Sequence, residues 1–205
     1  MRRESRRIED IVPPGAPQGA GVFCRLSGGR YLFCLYDASR IEPGQGYVLG
    51  RIGGRRNEGE TWEQCVQREV LEETGSRAVV ESSPSCCYAD LEGRIEPIAV
   101  EAEPRPALIS RQPAAGAVIP GGIYYNLLFW ARLLDEPRPG AELDALVILD
   151  EELLRSLAGS EVTLRELRDK GAEVIAARDL DPDARVSLGR SPQILLALLD
   201  RSQAE

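Results

Sequence analysis

The segment from residue 53 to residue 76, GGRRNEGETWEQCVQREVLEETGS, constrains the fold more than any other stretch of the chain. Thr61 and Gln64 have the T-x-x-Q spacing of a capping box, in which side chains satisfy the first amides of a helix. Gly75 stands where a left-handed residue commonly ends a helix. The sequence therefore predicts a helix of about four turns between these two signals.

One face of this predicted helix changes from apolar to acidic along its length. At a period of about 3.6 residues, four apolar side chains form a stripe. They are Trp62, Cys65, Val66 and Val70. Glu69 and Glu73 point in nearly the same direction and Glu72 lies beside them, although solvated glutamates belong on the opposite face. Like charges at i and i+4 repel each other, so the three carboxylates indicate an oxygen-ligand site for Mg²⁺ or Mn²⁺.

The residues before the helix support a binding role for it. Glu60 can supply a fourth oxygen ligand or orient the others, and Arg68 compensates part of the negative charge. The alternative is a solvated face of glutamates and arginines. Gly53, Gly54 and Gly59 favour the binding role, because glycines let a backbone approach a ligand closely.

The same residues resemble the signature of the Nudix hydrolases. The match reads Gly54, five residues, Glu60, seven residues, then Arg68-Glu69-Val70-Leu71-Glu72-Glu73-Thr74-Gly75, and it meets every fixed position of the box over residues 54–75. Two neighbouring positions depart from the family pattern. Ser76 replaces an aliphatic residue, and Ile52 replaces the proline that commonly precedes the two glycines.

The resemblance implies a fold, a reaction and a set of site residues. The fold is α/β, a Nudix-like α/β/α sandwich with a mixed central sheet. The reaction is hydrolysis of a phosphoanhydride bond in a nucleoside diphosphate linked to another moiety, with Mg²⁺ or Mn²⁺ as cofactor. The implied metal ligands are Glu69, Glu72, Glu73 and Glu60. The implied catalytic residues are Glu72, Glu73 and Arg68, and the substrate-binding residues that we expect are Gly53, Gly54, Arg51 and Tyr125.

By the resemblance, the general base is either one of the box glutamates or a carboxylate of a later loop, and the loop in question follows the strand predicted for residues 123–134. The acids of this loop are Asp135, Glu136, Glu142 and Asp144. We favour Glu142, because it precedes the next strand and could swing over the site. A solvated loop carboxylate is the alternative for each of them.

The substrate stays open among several nucleotide derivatives. The aromatic residues of the 123–134 strand could stack a base or fill the core; they are Tyr124, Tyr125, Phe129 and Trp130. The markers of relatives that prefer ADP-ribose or diadenosine polyphosphates are not met. An ADP-ribose-like compound, a nucleotide sugar, a dinucleotide and a nucleoside triphosphate all remain candidates. The alternative function is a non-catalytic, nucleotide-sensing domain of the same fold.

Composition excludes several other classes of protein. The chain has 205 residues, a formal charge of −8, no histidine and a single lysine. Histidine-based catalysis is therefore excluded, and duplex nucleic-acid binding through a basic field is not expected. The sequence has no apolar run of about 20 residues that could cross a membrane and no secretion signal, so we expect a cytoplasmic protein. The five cysteines lack metal-site spacing and are expected to be reduced. Dimers are common among proteins that resemble this one, so a homodimer is a further expectation.

Residues 1–19 are predicted to form a flexible arm, and residues 20–205 a single domain. Alternating apolar residues predict a hairpin with strands at 21–26 and 31–36. Further strands are expected at 46–52, 78–80, 95–100, 123–134 and 145–149. Helices are expected at 150–157, 163–170 and 191–201, and the Pro-rich segment 103–122 is interpreted as a long surface loop.

Overall fold

The structure, a computed structural model, describes residues 5–37, 46–113 and 122–204. Its strands are β1 (Arg6–Arg7), β2 (Gln18–Leu26), β3 (Arg30–Asp37), β4 (Tyr47–Gly50), β5 (Ile52–Arg55), β6 (Ala78–Glu81), β7 (Cys86–Ala89), β8 (Ile95–Ile98), β9 (Val100–Glu101), β10 (Leu108–Pro113), β11 (Ile123–Leu133), β12 (Ala145–Asp150), β13 (Val162–Thr163), β14 (Glu173–Ala176) and β15 (Arg185–Leu188). Its helices are α1 (Trp62–Thr74), α2 (Glu151–Ser156), α3 (Leu164–Asp169) and α4 (Arg190–Ala204). The predicted α/β class is confirmed.

The chain divides into two compact units. The described residues of the first unit are 5–22, 53–69, 78–113 and 122–132, and those of the second are 23–37, 46–52, 70–77 and 133–204. The boundary falls inside β2, α1 and β11, so each of these elements supplies residues to both units. The single domain predicted for residues 20–205 stays a prediction.

The first unit is built on the strand order β2-β11-β10-β7-β8, with β5 paired to β2 and β6 to β11. β10 runs antiparallel to β11 and parallel to β7, which makes the sheet mixed. The Cys65 and Val66 side chains of α1 are fully buried, so this face of the helix is turned to the interior. The buried side chains of this unit include Val22, Cys65, Val66, Leu108, Ile109, Leu127 and Leu128.

The second unit has the order β13-β15-β4-β3, with β12 paired to β3 and β14 to β12. Residues 24–26 of β2 pair with β3, which confirms the predicted hairpin. Asp150 caps α2 and Thr163 caps α3 through side-chain oxygens that accept backbone amides. The buried side chains of this unit include Leu32, Leu35, Leu49, Leu146, Leu149 and Leu154.

Besides the strand predicted for residues 95–100, which is divided at Ala99 into β8 and β9, two predicted elements are wrong in part. The single strand predicted for residues 46–52 is divided at Arg51 into β4 and β5. The surface loop predicted for residues 103–122 contains β10, whose Leu108, Ile109 and Ser110 are buried between β7 and β11; residues 114–121 lie outside the described part of the chain. Both errors come from strand pairing with distant residues, which local composition does not reveal.

Residues 5–19, within the predicted arm, carry secondary structure that the sequence analysis does not predict. Arg6–Arg7 pairs in parallel with β9, and Ile8 and Val12 are buried. In the part of the chain that the structure describes, no helix is long and apolar enough to span a membrane.

Candidate active site

The helix that carries the predicted carboxylates begins and ends where its local signals place it. The Thr61 amide donates to Gln64 Oε1 over 2.9 Å, and the Gln64 amide donates to Thr61 Oγ1 over 3.1 Å. At the other end Gly75 has a φ of +61°, and its amide donates to the Leu71 carbonyl over 2.9 Å. The capping box and the glycine stop are confirmed, so the register of the acidic face is set by residues inside the box.

Arg68 links three parts of the site through its guanidinium. Its Nε and Nη2 donate to the two carboxylate oxygens of Glu60 over 2.6 and 3.0 Å. Its Nη1 donates to Glu69 Oε1 over 2.7 Å, and Nη2 also donates to the Arg55 carbonyl over 2.9 Å. The side chains of Arg68, Glu60 and Glu69 are only 27%, 17% and 12% exposed, so solvent screens these ion pairs weakly. The planar guanidinium therefore fixes the orientation of both carboxylates.

The same contact controls the charge of Glu60. The hydrogen bonds from Arg68 are the largest cause that lowers the pKa of Glu60, to about 2, and the amide of Asn57 adds to the effect over 2.8 Å. The pKa of Arg68 is raised in turn, mainly by its hydrogen bonds to Glu60. Both groups are therefore charged throughout the neutral pH range.

Gly53 and Gly54, the pair before the helix, are each required to be glycine for a different structural reason. Gly53 has a φ of +137°, which side-chain-bearing residues rarely adopt. A Cβ on Gly54 would overlap the carboxylate of Glu69. The glycine pair therefore lets the backbone of β5 lie directly beside a predicted metal ligand.

The loop after β11 covers the last turn of α1, where Glu72 and Glu73 lie. The Gly140 amide donates to the Glu73 carbonyl over 2.8 Å, and the Arg138 amide donates to the Thr74 carbonyl over 2.7 Å. A Cβ on Gly140 would overlap the Glu72 carbonyl oxygen. These contacts satisfy carbonyls that have no partner inside the helix. Sequence reasoning missed Gly140, whose only local signal is its position directly after Pro139.

Ser76, the departure from the family pattern, is fully buried and hydrogen-bonded to the same loop. Its Oγ donates to the Asp135 carbonyl over 2.9 Å and accepts the Asp135 amide over 3.1 Å. The Ser76 hydroxyl therefore joins the end of α1 to the loop after β11, at a position where the resemblance implies an aliphatic side chain.

The loop acids that were candidates for the general base differ in their surroundings. Asp144 is buried, pairs with Arg178 over 3.1 Å and accepts the Asp37 amide over 2.7 Å, which is a structural role. Asp135 pairs with Arg77 over 3.0 Å. Glu142 is exposed, and no hydrogen bond or ion pair joins its side chain to another residue in the described ranges. Its role as base stays a prediction.

The predicted substrate-binding residues Arg51 and Tyr125 lie in different settings. The Arg51 carbonyl accepts the Cys34 thiol over 2.9 Å, and burial, aided by the negative charge of Glu73, raises the pKa of that thiol to about 12. Tyr125 is buried, with its amide bonded to the Pro17 carbonyl over 2.9 Å. A Cβ on Gly19 would overlap both the Tyr124 hydroxyl and the Gly54 carbonyl. Tyr124, rather than its buried neighbour, thus reaches the glycine pair.

The donors present match a hard divalent cation in chemistry. Glu69, Glu72 and Glu73 supply carboxylate oxygens from adjacent turns of α1, and Glu69 uses only Oε1 for its contact with Arg68. In the ranges that the structure describes, no group of three or more acidic, cysteine or histidine side chains is arranged to hold a metal ion. The residue types and the space left by Gly54 fit Mg²⁺ or Mn²⁺.

Comparison with solved structures returns Nudix hydrolases at low identity. A NUDIX hydrolase from Nitrosomonas europaea is 21% identical over 67% of this chain and 58% of its own length, with a TM-score of 0.41. A second one from that organism is 16% identical over 69% of this chain and 76% of its own, with a TM-score of 0.46. A MutT NUDIX hydrolase from Burkholderia pseudomallei is 17% identical over 90% of this chain and 98% of its own, with a TM-score of 0.43.

Comparison with curated proteins gives no match. The profile of the NUDIX domain matches residues 16–151, which is more than half of the chain and includes the whole box. The chain therefore belongs to the Nudix family, whose hydrolases act on pyrophosphate bonds.

Proposed function

We propose that this protein is a divalent-metal-dependent hydrolase that cleaves the phosphoanhydride bond of a nucleoside diphosphate linked to another moiety. The observation that carries the proposal is the arrangement around Arg68. This side chain holds Glu60 and Glu69 in place, and Gly54 leaves the Glu69 carboxylate room beside the backbone. Glu72 and Glu73 follow on the next turn of the same helix.

Different residues would hold the metal ion, orient its ligands and accept the proton of the attacking water. Glu69, Glu72 and Glu73, aided by Glu60, would hold Mg²⁺ or Mn²⁺, which when bound neutralises phosphate charge and lowers the pKa of a bound water. Arg68 keeps the carboxylates in orientation and does not itself need to move a proton. Glu142 is the proposed base that accepts the proton of the attacking water, since its exposed side chain is not committed to another described group.

A panel of nucleotides tests the proposal. Product release would be measured for ADP-ribose, nucleotide sugars, diadenosine polyphosphates and nucleoside triphosphates, each with Mg²⁺, Mn²⁺ or EDTA. We expect metal-dependent turnover of at least one class and its loss in the Glu72→Gln, Glu73→Gln double variant. Glu63→Gln is the matched control, because Glu63 is an exposed glutamate of the same helix outside the acidic face.

The outcomes separate catalysis from sensing. Saturable binding of a panel member without turnover in any metal would replace the hydrolase by the nucleotide-sensing alternative. Loss of turnover in the Glu63→Gln control would show that any charge change on α1 inactivates the protein. Full turnover in a Glu142→Gln variant would remove that residue as the base. A homodimer stays a prediction that sedimentation would check in the same samples.

A further inference from the structure

A cavity of about 510 Å³ lies next to the loop that joins the glycine pair to Glu60. One wall is formed by residues 15–18, from the segment before β2, and the other by residues 55–59, from the loop itself. Its volume is within the range of small-molecule sites, about 300–1,000 Å³. All of its lining belongs to the first compact unit. We refer to it as the Arg56 cavity.

A backbone hydrogen bond joins the two walls, and further backbone bonds fix each wall within the unit. The Arg56 amide donates to the Gln18 carbonyl over 3.0 Å, and the Tyr125 amide donates to the Pro17 carbonyl over 2.9 Å. On the loop side, the Glu60 amide donates to the Asn57 carbonyl over 3.2 Å. The cavity is therefore part of the folded unit, and the contact of the Asn57 amide with the Glu60 carboxylate ties it to the carboxylates of the box.

Arg55 and Arg56, both in the lining, give the Arg56 cavity positive charge. The Arg56 guanidinium lies over the Trp62 ring at 4.5 Å and donates from Nη1 to the Glu60 carbonyl over 2.6 Å. Within the described ranges, neither Arg55 nor Arg56 forms an ion pair with a carboxylate, whereas Arg68, Arg77 and Arg94 all do. Glu58 is the one acidic residue of the lining.

Uncompensated guanidinium groups are unexpected in a chain with a formal charge of −8. The stack on Trp62 holds Arg56 in place, since an aromatic face attracts a cation. The contact with the Glu60 carbonyl uses one of the five N–H donors of the group, which leaves donors for a ligand. Phosphate oxygens match this donor geometry better than any neutral group does.

We propose that the Arg56 cavity binds a further phosphate of the substrate, beyond the pyrophosphate that is cleaved. The inference rests on the proposed function for the position of the scissile bond, because residues 55–59 lie directly between Gly54 and Glu60. It narrows the substrate class to nucleotides that extend the diphosphate by phosphate, such as nucleoside triphosphates and dinucleoside polyphosphates. ADP-ribose and neutral nucleotide sugars, whose second moiety is uncharged, do not use these arginines.

Binding without turnover tests this inference separately from catalysis. ATP and ADP-ribose share an adenosine diphosphate and differ in what is attached to it. Each would be titrated in EDTA and followed by tryptophan fluorescence, because Trp62 is one of two tryptophans and lies against Arg56. For the Arg55→Gln, Arg56→Gln double variant we expect about a tenfold loss of ATP affinity, as for removal of a charge-assisted contact, and no change for ADP-ribose.

Controls keep the test informative. Arg94→Gln removes an exposed arginine of the same unit that pairs with Asp90, and it should leave both affinities unchanged. The double variant also loses the stack on Trp62 and could unfold for that reason. In that case Arg55→Gln alone should still lower the affinity for ATP, because the Arg55 side chain is exposed and its replacement leaves the fold intact. Equal losses for both ligands, or an unchanged ATP affinity in a folded variant, would overturn the inference. If ATP binding responds as expected but no nucleotide is turned over, the proposed hydrolysis fails while the phosphate site stands.

A diadenosine polyphosphate then decides between the two phosphate-bearing classes. In Mg²⁺, the preferred class should show a KM that rises about tenfold in the folded Arg55→Gln, Arg56→Gln variant, with kcat changed by less than about twofold. A fall in kcat with an unchanged KM would place the two arginines in the chemistry instead and would overturn the binding role.

Discussion

At the residue scale, the site depends on one guanidinium that serves two carboxylates and a carbonyl. Arg68 contacts Glu60, Glu69 and the Arg55 backbone at the same time, and its planar donors satisfy the three directions at once. A lysine in this position would keep the charge but could not reproduce the fork. The contacts of Arg68 therefore depend on the shape of its guanidinium as well as on its charge.

Arg68→Lys is expected to lower kcat by about tenfold to a hundredfold, the usual effect of removing a partner that orients a metal ligand. Steady-state kinetics at saturating Mg²⁺ would measure it. The matched control is Arg77→Lys, which alters an exposed pair with Asp135 and should leave kcat unchanged. Full activity of the lysine variant would show that the charge of Arg68, and not its shape, is what the site requires.

Gly54→Ala is expected to lower kcat by about a hundredfold, because the new Cβ displaces the Glu69 carboxylate and a misplacement of about 1 Å is enough for such a loss. Gly93→Ala is the comparison variant. Gly93 has a φ of +82° in an exposed turn with open space around it, so alanine there costs stability and leaves kcat unchanged. Kinetics and thermal unfolding of both variants separate the two effects.

The sequence predicts a site residue when its contact partners lie close to it along the chain. Glu60, Arg68 and Glu69 interact within the box, so motif spacing was sufficient to bring them together. Gly140 lies against Glu72, and Tyr124 lies near Gly54, each from more than fifty residues away along the chain, and only the fold shows these contacts. The same holds for Ser76, whose partner Asp135 is 59 residues away along the chain.

At the scale of elements, local signals separate the correct predictions from the wrong ones. α1 spans Trp62–Thr74, within one residue of its predicted capping residue and glycine stop, because both signals act inside the helix. β10 was missed, since Leu108–Pro113 is a strand only by pairing with β7 and β11. β13, β14 and β15 are two to four residues long, too short for an alternating pattern.

Thr61→Ala tests the energetic weight of the capping box. Loss of the Oγ1 contact to the Gln64 amide is expected to lower the free energy of unfolding by about 1 kcal/mol. It should also lower activity, because the first turn of α1 follows Glu60 directly. Thr163→Ala removes the same type of cap from α3 and should cost similar stability without a loss of activity. Urea unfolding and kinetics check both, and equal activity losses would contradict the local role.

At the scale of the whole molecule, the fold class could be predicted and the boundaries could not. The resemblance over residues 54–75 implied a mixed sheet, and both parallel and antiparallel pairs are present. The N-terminal arm was interpreted as polar chain closed by prolines. In the structure Arg6–Arg7 pairs with Val100–Glu101, a contact across more than ninety positions that no local pattern encodes.

Ile8→Ala tests whether this segment contributes to stability. Ile8 is 7% exposed in the short turn after β1, so truncation should lower the free energy of unfolding by about 2 kcal/mol or more through lost burial and a cavity. Ile11→Ala is the matched control in the same segment, where the side chain is only half-buried and the loss should be clearly smaller. Chemical denaturation would measure both. Equal small effects would mean that residues 5–12 pack only weakly in solution and that the arm is the flexible segment its composition suggests.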